Sequence, residues 1–252
     1  MTNKYMYFIA NWKMFGDLRA LNSLDSVINF SKNNKKSKFK IIYCPPNTLI
    51  RPLSKRLKKT NLEVGAQNCH ESESYGAFTG HVNSKMLKNV GAKYVILGHS
   101  ENREDGDTDI LINRKIKTAL KNNLKIIFCI GETLKQRKNK KTHLTLSDQI
   151  KQGLKDIKDY KNIIIAYEPV WSIGTGIIPE TELLKKIMKF IKSNFNKKNK
   201  LSINYPKFLY GGSVSPKNIN TLKKIDDIDG FLVGGASQNP KKFIDIIKKT
   251  FN

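Results

Sequence analysis

The stretch Ile163-Ile164-Ile165-Ala166-Tyr167-Glu168-Pro169-Val170-Trp171-Ser172-Ile173-Gly174-Thr175-Gly176 decides the fold. Its first five residues are apolar without a break. A strand wetted on one face alternates apolar with polar residues. A strand that is apolar along its length is buried on both faces, as in a parallel sheet covered by helices. The run then ends on a lone carboxylate, Glu168, followed by a proline, a tryptophan and a Gly-Thr-Gly hinge. A buried, unpaired carboxylate is costly, so the end of this strand is the first place to look for chemistry.

Seven more runs of the same kind lie outward along the chain, at residues 5–10, 39–43, 62–65, 94–97, 125–130, 208–210 and 230–233. Between them are stretches with helical spacing. Leu111, Ile112, Ile116 and Leu120 form one, with Asp107, Thr108 and Asp109 as cap candidates. Leu183, Leu184, Ile187, Met188 and Ile191 form another, opened by Pro179 and Glu180. Phe243, Ile244, Ile246 and Ile247 form the last. Eight strands alternating with helices in 252 residues predict an α/β chain folded as a single closed (β/α)8 barrel, one domain over 1–252. An open doubly wound sheet is the alternative, weakened because no Gly-x-Gly-x-x-Gly follows the first strand. The Lys/Asn-rich pieces 32–40, 135–141 and 194–200 read as solvated turns at helix ends, so no linker divides the chain.

Lysine and arginine total 46 against 21 acids, a net charge of +25. Such a balance raises the question of nucleic acid. However, the six arginines (19, 51, 56, 103, 114 and 137) are scattered, and no basic segment is interleaved with aromatics. The expectation is no nucleic-acid partner, and a positive field that draws a small anionic substrate inward. No apolar run approaches the ~20 residues that cross a bilayer. The N-terminal apolar patch is interrupted by Asn11 and Lys13 and lacks a cleavage site. Cys44, Cys69 and Cys129 are far apart in apolar contexts, which suits buried thiols in a reducing compartment rather than disulfides or a zinc site. A cytoplasmic protein without a membrane partner is expected.

In a barrel, function gathers where strands end. After the first strand come Asn11 and Lys13, which period two would place on one side, an amide beside a cation. The fourth strand leads into Gly98-His99-Ser100-Glu101, and the sixth into Glu168. The seventh and eighth lead into Gly211-Gly212-Ser213 and Gly234-Gly235-Ala236-Ser237. Glycine pairs at the last two strands suit a phosphate cradle of backbone N–H groups, aided by a helix start beyond. The alternative is a pair of tight turns that need positive φ. Lys13, His99 and Glu168 together supply a cation, an imidazole and a carboxylate, enough to move a proton next to a carbonyl.

These segments, with Gly65-Ala66-Gln67-Asn68, Gly76-Ala77-Phe78-Thr79-Gly80 and Cys129-Ile130-Gly131-Glu132-Thr133-Leu134, resemble the triosephosphate isomerase family over almost the whole chain. The resemblance implies a TIM barrel that interconverts dihydroxyacetone phosphate and D-glyceraldehyde 3-phosphate through an enediolate. It implies Glu168 as the proton-shuttling base, His99 as a neutral imidazole polarising the carbonyl, and Lys13 with Asn11 holding the developing charge. It implies Glu101 as the acid near that lysine. Phosphate would rest on Gly174, Ser213, Gly234 and Gly235, with Leu232 keeping water from Glu168. Pro169, Val170, Trp171, Ser172, Ile173, Gly174, Thr175 and Gly176 would form a closing lid. The resemblance implies no metal and no cofactor. It also implies a homodimer built by the loop from Gly65 to Met86, with Phe78, Thr79 and Gly80 at its tip.

The chain departs from the family in several places. Asn102 stands where an arginine is usual and His81 where a glutamate is usual, so a pair that commonly meets across the dimer is missing as a unit. The loop after Arg103 is about one residue short. Ser172 replaces the common alanine, and Ile177-Ile178-Pro179 forms an unusual second hinge. Two rival readings are a different phosphate-handling barrel isomerase and a catalytically idle or basic binding relative.

Overall fold

Eight parallel strands close on themselves in chain order. They are β1 (Met6–Asn11), β2 (Phe39–Cys44), β3 (Glu63–Ala66), β4 (Tyr94–Leu97), β5 (Lys125–Ile130), β6 (Ile163–Tyr167), β7 (Lys207–Tyr210) and β8 (Gly230–Val233). β1 closes the ring by pairing with both β2 and β8. The structure is a computed structural model that describes residues 4–34, 38–196 and 205–252. The stretches 32–40 and 194–200 fall partly outside the described residues. The stretch 135–141 is not simply a turn, because Leu134–Lys138 is a short helix opened by a Thr133–Gln136 capping box.

Period two sorts each strand between two cores. Ile9, Ile42, Ile96, Ile127, Ile164, Ala166, Leu209 and Leu232 fill the barrel interior. Their neighbours Phe8, Ala10, Ile41, Val95, Phe128, Ile163, Ile165 and Tyr167 face the helices. Both faces are apolar, which is why the strands read as continuous runs. The three expected helices form at Asp109–Lys121, Thr181–Asn196 and Pro240–Phe251. The three cap candidates before the first of these divide their labour. Thr108 accepts the Leu111 N–H as N-cap. Asp109 pairs with Arg103, and Asp107 meets the buried Lys115 ammonium at 2.7 Å. No helix among the described residues is long and apolar enough to cross a membrane. The three cysteines are free and buried.

Candidate active site

Continuing the period-two pattern past β6 carries Glu168 onto the interior side, in step with Ile164 and Ala166. Its carboxylate is buried, 2% exposed. Oε1 lies 3.4 Å from His99 Nε2, and Oε2 accepts the Ser100 N–H at 3.4 Å. Burial pushes the carboxyl above the usual glutamate range, while His99 and the Ser100 N–H pull it back down. The space Glu168 occupies is kept open by glycines. A Cβ on Gly211 would sit 2.8 Å from Glu168 Cγ, and one on Gly131 would sit 1.7 Å from the Glu168 carbonyl oxygen.

His99 reaches the site by a different route. Gly98 adopts φ +77°, which breaks the strand and turns the next residue inward. His99 then caps the short helix Ser100–Glu104, its Nδ1 accepting the Glu101 N–H at 3.2 Å. With Nδ1 committed as an acceptor, the neutral ring carries its proton on Nε2, facing Glu168.

Asn11 and Lys13 line the same cavity, but not by strand alternation as expected. β1 ends at Asn11, and Lys13 has φ +55°. The turn is held from three sides. Asn11 Oδ1 accepts the Lys13 N–H, Gln67 donates to the Lys13 carbonyl at 2.9 Å, and Gln238 donates to the Trp12 carbonyl. Lys13 Nζ sits 2.6 Å from Glu101 Oε1. Glu101 is half-exposed and stands behind the lysine rather than on the cavity wall.

The cavity has a volume of about 630 Å³ and opens at the C-terminal ends of the strands. Asn11, Lys13, His99, Glu168 and Leu232 line one part of it, and Ile173, Gly174, Gly176, Ser213, Gly234 and Gly235 the other. None of the cradle glycines 211, 212, 234 and 235 has positive φ, so the tight-turn alternative fails for them. Close approach is the reason at 211 and 212. The β8 end does start a single 3-10 turn, Gly235–Gln238. No helix begins directly after Ser213, so the expected dipole contribution there is missing; the next helix begins only at Ile219.

The lid opens at Pro169 and winds one 3-10 turn through Val170, Trp171 and Ser172. Gly174 and Gly176 take φ +73° and +80°. Its first half is pinned to Glu132, which is fully buried: Trp171 Nε1 donates to Oε1 at 3.0 Å and Tyr167 donates to Oε2 at 3.1 Å. Arg137 stacks on the Trp171 ring at 4.3 Å. Trp171→Phe keeps a ring but leaves this carboxylate one donor short. It is expected to lose about 1–3 kcal/mol of stability, read from the denaturation midpoint; an unchanged midpoint would mean the bond contributes nothing.

Sequence reading missed Gln67, Gln238, Gly211 and Gly131 as supports of the site, and Lys217, Lys242 and Asp245 at the cavity mouth. Gln67 was findable, because it follows Gly65 on the interior side of β3 just as Glu168 follows Ala166. The cavity mouth was not, because it joins loops far apart in sequence. Phe78 and Thr79 lie away from this cavity. Gly80 lines a second one with His81, Asn102, Asp107 and Lys115.

A closed barrel with a buried acid, an imidazole, a lysine and paired glycines at its strand ends has the groups an isomerase of small phosphorylated carbonyl compounds needs. A sequence model of triosephosphate isomerase matches residues 6–250. The chain is 42% identical over 244 residues to the triosephosphate isomerase of Thermodesulfovibrio yellowstonii, covering 96% of this chain and 98% of that one. It is 41% identical to that of Mycoplasmopsis pulmonis, covering 99% and 98%. The crystal structure of triosephosphate isomerase from Bartonella henselae superposes with a TM-score of 0.89 at 32% identity, covering 98% of this chain and all of that one. The chain belongs to the triosephosphate isomerase family.

Proposed function

We propose that Glu168, His99 and Lys13 carry out the family's reaction, the interconversion of dihydroxyacetone phosphate and D-glyceraldehyde 3-phosphate, within a single barrel domain. Glu168 takes a proton from one substrate carbon and returns it to its neighbour. His99 Nε2–H polarises the carbonyl and passes protons between the two oxygens, in the manner known for this family. Lys13, beside Asn11, holds the charge that develops on the enediolate. The substrate's own carbonyl accepts the electrons, so the scheme calls on no metal or cofactor. Phosphate sits on the N–H groups of Gly174, Ser213, Gly234 and Gly235, with Leu232 walling off water.

The observation that carries this reading is the 3.4 Å approach of His99 Nε2 to Glu168 Oε1 inside the same cavity as the cradle. A different phosphate-handling isomerase would not need this pair. A coupled assay for glyceraldehyde 3-phosphate formation tests it, and no turnover above background would refute it. Lys217 and Lys242 at the mouth give the positive field a place to act. We place the enzyme in the cytoplasm, in keeping with three unpaired buried thiols.

We also propose a homodimer through residues 65–86. Met14 is 99% exposed, and Phe15, Leu18, Tyr75, Phe78 and Met86 are partly exposed. Gln67 ties the two segments that carry them together. Exposed apolar groups on two segments joined in this way suit a covered face. His81 and Asn102 also line one cavity within a protomer, so only a readout of dimer dissociation separates a pair lost across the interface from one lost inside a subunit. Introducing His81→Glu and Asn102→Arg together is expected to tighten the dimer beyond the sum of the single changes by roughly 0.2–1 kcal/mol, the range of an exposed pair. Simple additivity of the single changes in dimer dissociation free energy would reject the coupling.

A further inference from the structure

Ser172 is completely buried, and its hydroxyl is saturated. Oγ donates to the Ile177 carbonyl at 2.6 Å, lies 3.1 Å from Tyr210 Oη, and accepts the Ser213 N–H at 3.3 Å. A hydroxyl has one hydrogen and two lone pairs. With the hydrogen on Ile177, the lone pairs go to the Tyr210 O–H and the Ser213 N–H. One oxygen therefore joins the far end of the lid, the end of β7 and the cradle. Gly212 makes room for the cluster: a Cβ there would lie 2.3 Å from Tyr210 Oη and 2.9 Å from Ser172 Oγ. Thr175 adds a second tie inside the lid, donating to the Ser172 carbonyl at 3.0 Å and accepting the Ile177 N–H at 3.1 Å.

The Ser213 N–H has a single hydrogen to give. We infer that Ser172 is a positioning residue that holds this N–H until a phosphate oxygen takes it, so that phosphate arrival and release of the cradle from the lid are one exchange. The inference rests on the phosphate assignment above. At 3.3 Å the existing bond is long for N–H···O. A phosphate oxygen is a charged acceptor, and charge-assisted bonds are shorter and stronger. The exchange therefore runs toward phosphate, while Ser172 keeps Ile177 and Tyr210 and the lid stays seated.

The test uses inorganic phosphate as a competitive inhibitor of the wild-type enzyme, Ser172→Ala and Tyr210→Phe, each with kcat and a thermal midpoint. Ser172→Ala frees the N–H beforehand, so its inhibition constant for phosphate is expected to fall about 3- to 10-fold. Its kcat falls too, because Ile177 and Tyr210 lose their shared partner. Tyr210→Phe also lowers kcat but leaves the inhibition constant at or above wild type, since Ser213 stays bound to Ser172. A packing role alone would weaken phosphate in both variants. An inhibition constant in Ser172→Ala equal to or above wild type overturns the exchange. So does an equal fall in Tyr210→Phe. Phosphate that fails to compete with substrate in the wild type overturns the cradle assignment itself, and the exchange with it.

Discussion

Glu168→Ala is expected to lower kcat by roughly 10²- to 10⁴-fold, the usual contribution of a positioned general base. Glu168→Asp keeps the charge but draws the carboxylate back by about one carbon–carbon bond. A misplacement near 1 Å costs on the order of 10²-fold, so a loss of only a few-fold would count against Glu168 as the base. Stability should move the other way. Burial raises the folded-state pKa of this carboxyl above its unfolded value, so folding favours the protonated form. The benefit of that form is full below the unfolded pKa and is lost as pH rises through the raised folded value. At neutral pH the ionised base therefore strains the fold. Glu168→Gln should raise the thermal midpoint, by more at pH 8 than at pH 4. The same raised value places the acid limb of wild-type kcat/KM above the ordinary glutamate range. A midpoint gap that shrinks as pH rises would reverse the sign and refute the account.

Gly131→Ala should do damage out of proportion to one methyl group. A Cβ there falls 1.7 Å from the Glu168 carbonyl oxygen and 2.6 Å from its carbonyl carbon, both main-chain atoms that no rotamer change can move. The Glu168 N–H bonds the Ile130 carbonyl at 2.7 Å, and the Val170 N–H bonds the Glu132 carbonyl at 3.1 Å. The end of β6 is thus clamped against the segment the methyl would push. Overpacking of this kind costs about 1–3 kcal/mol or more. Because the atom displaced belongs to the base itself, kcat should fall on the order of 10²-fold even in molecules that remain folded. Activity and midpoint measured together decide the matter. Near-normal kcat at any midpoint would show that the β6 end yields without moving the carboxylate.

How legible each part was depended on whether its cause was local. All eight strands sit within a residue or so of where apolar runs place them, because a strand buried on both faces needs no partner to be recognised. Thr108 was one of three cap candidates, and only packing assigned the other two, sending Asp107 to Lys115 and Asp109 to Arg103. The glycine pairs were visible as glycines. That Gly211 yields space to Glu168, rather than supplying a turn, depends on a contact between β6 and β7.

The sequence by itself determined the barrel and the inward aim of Glu168, since strand alternation is a property of the backbone that runs on past Ala166 without interruption. Its motifs also carried the family. Only the tertiary structure decided how His99 and Lys13 join that carboxylate. Each lies just beyond a break in alternation, Gly98 at φ +77° and Lys13 itself at φ +55°. Past such a break the direction of a side chain is set by what holds the turn, here Gln67, Gln238 and the Ser100–Glu104 helix. The same holds for Ser172. As a letter it is a small change in a lid, and as an atom it sits between Ile177, Tyr210 and Ser213, three groups that only closure of the barrel brings together.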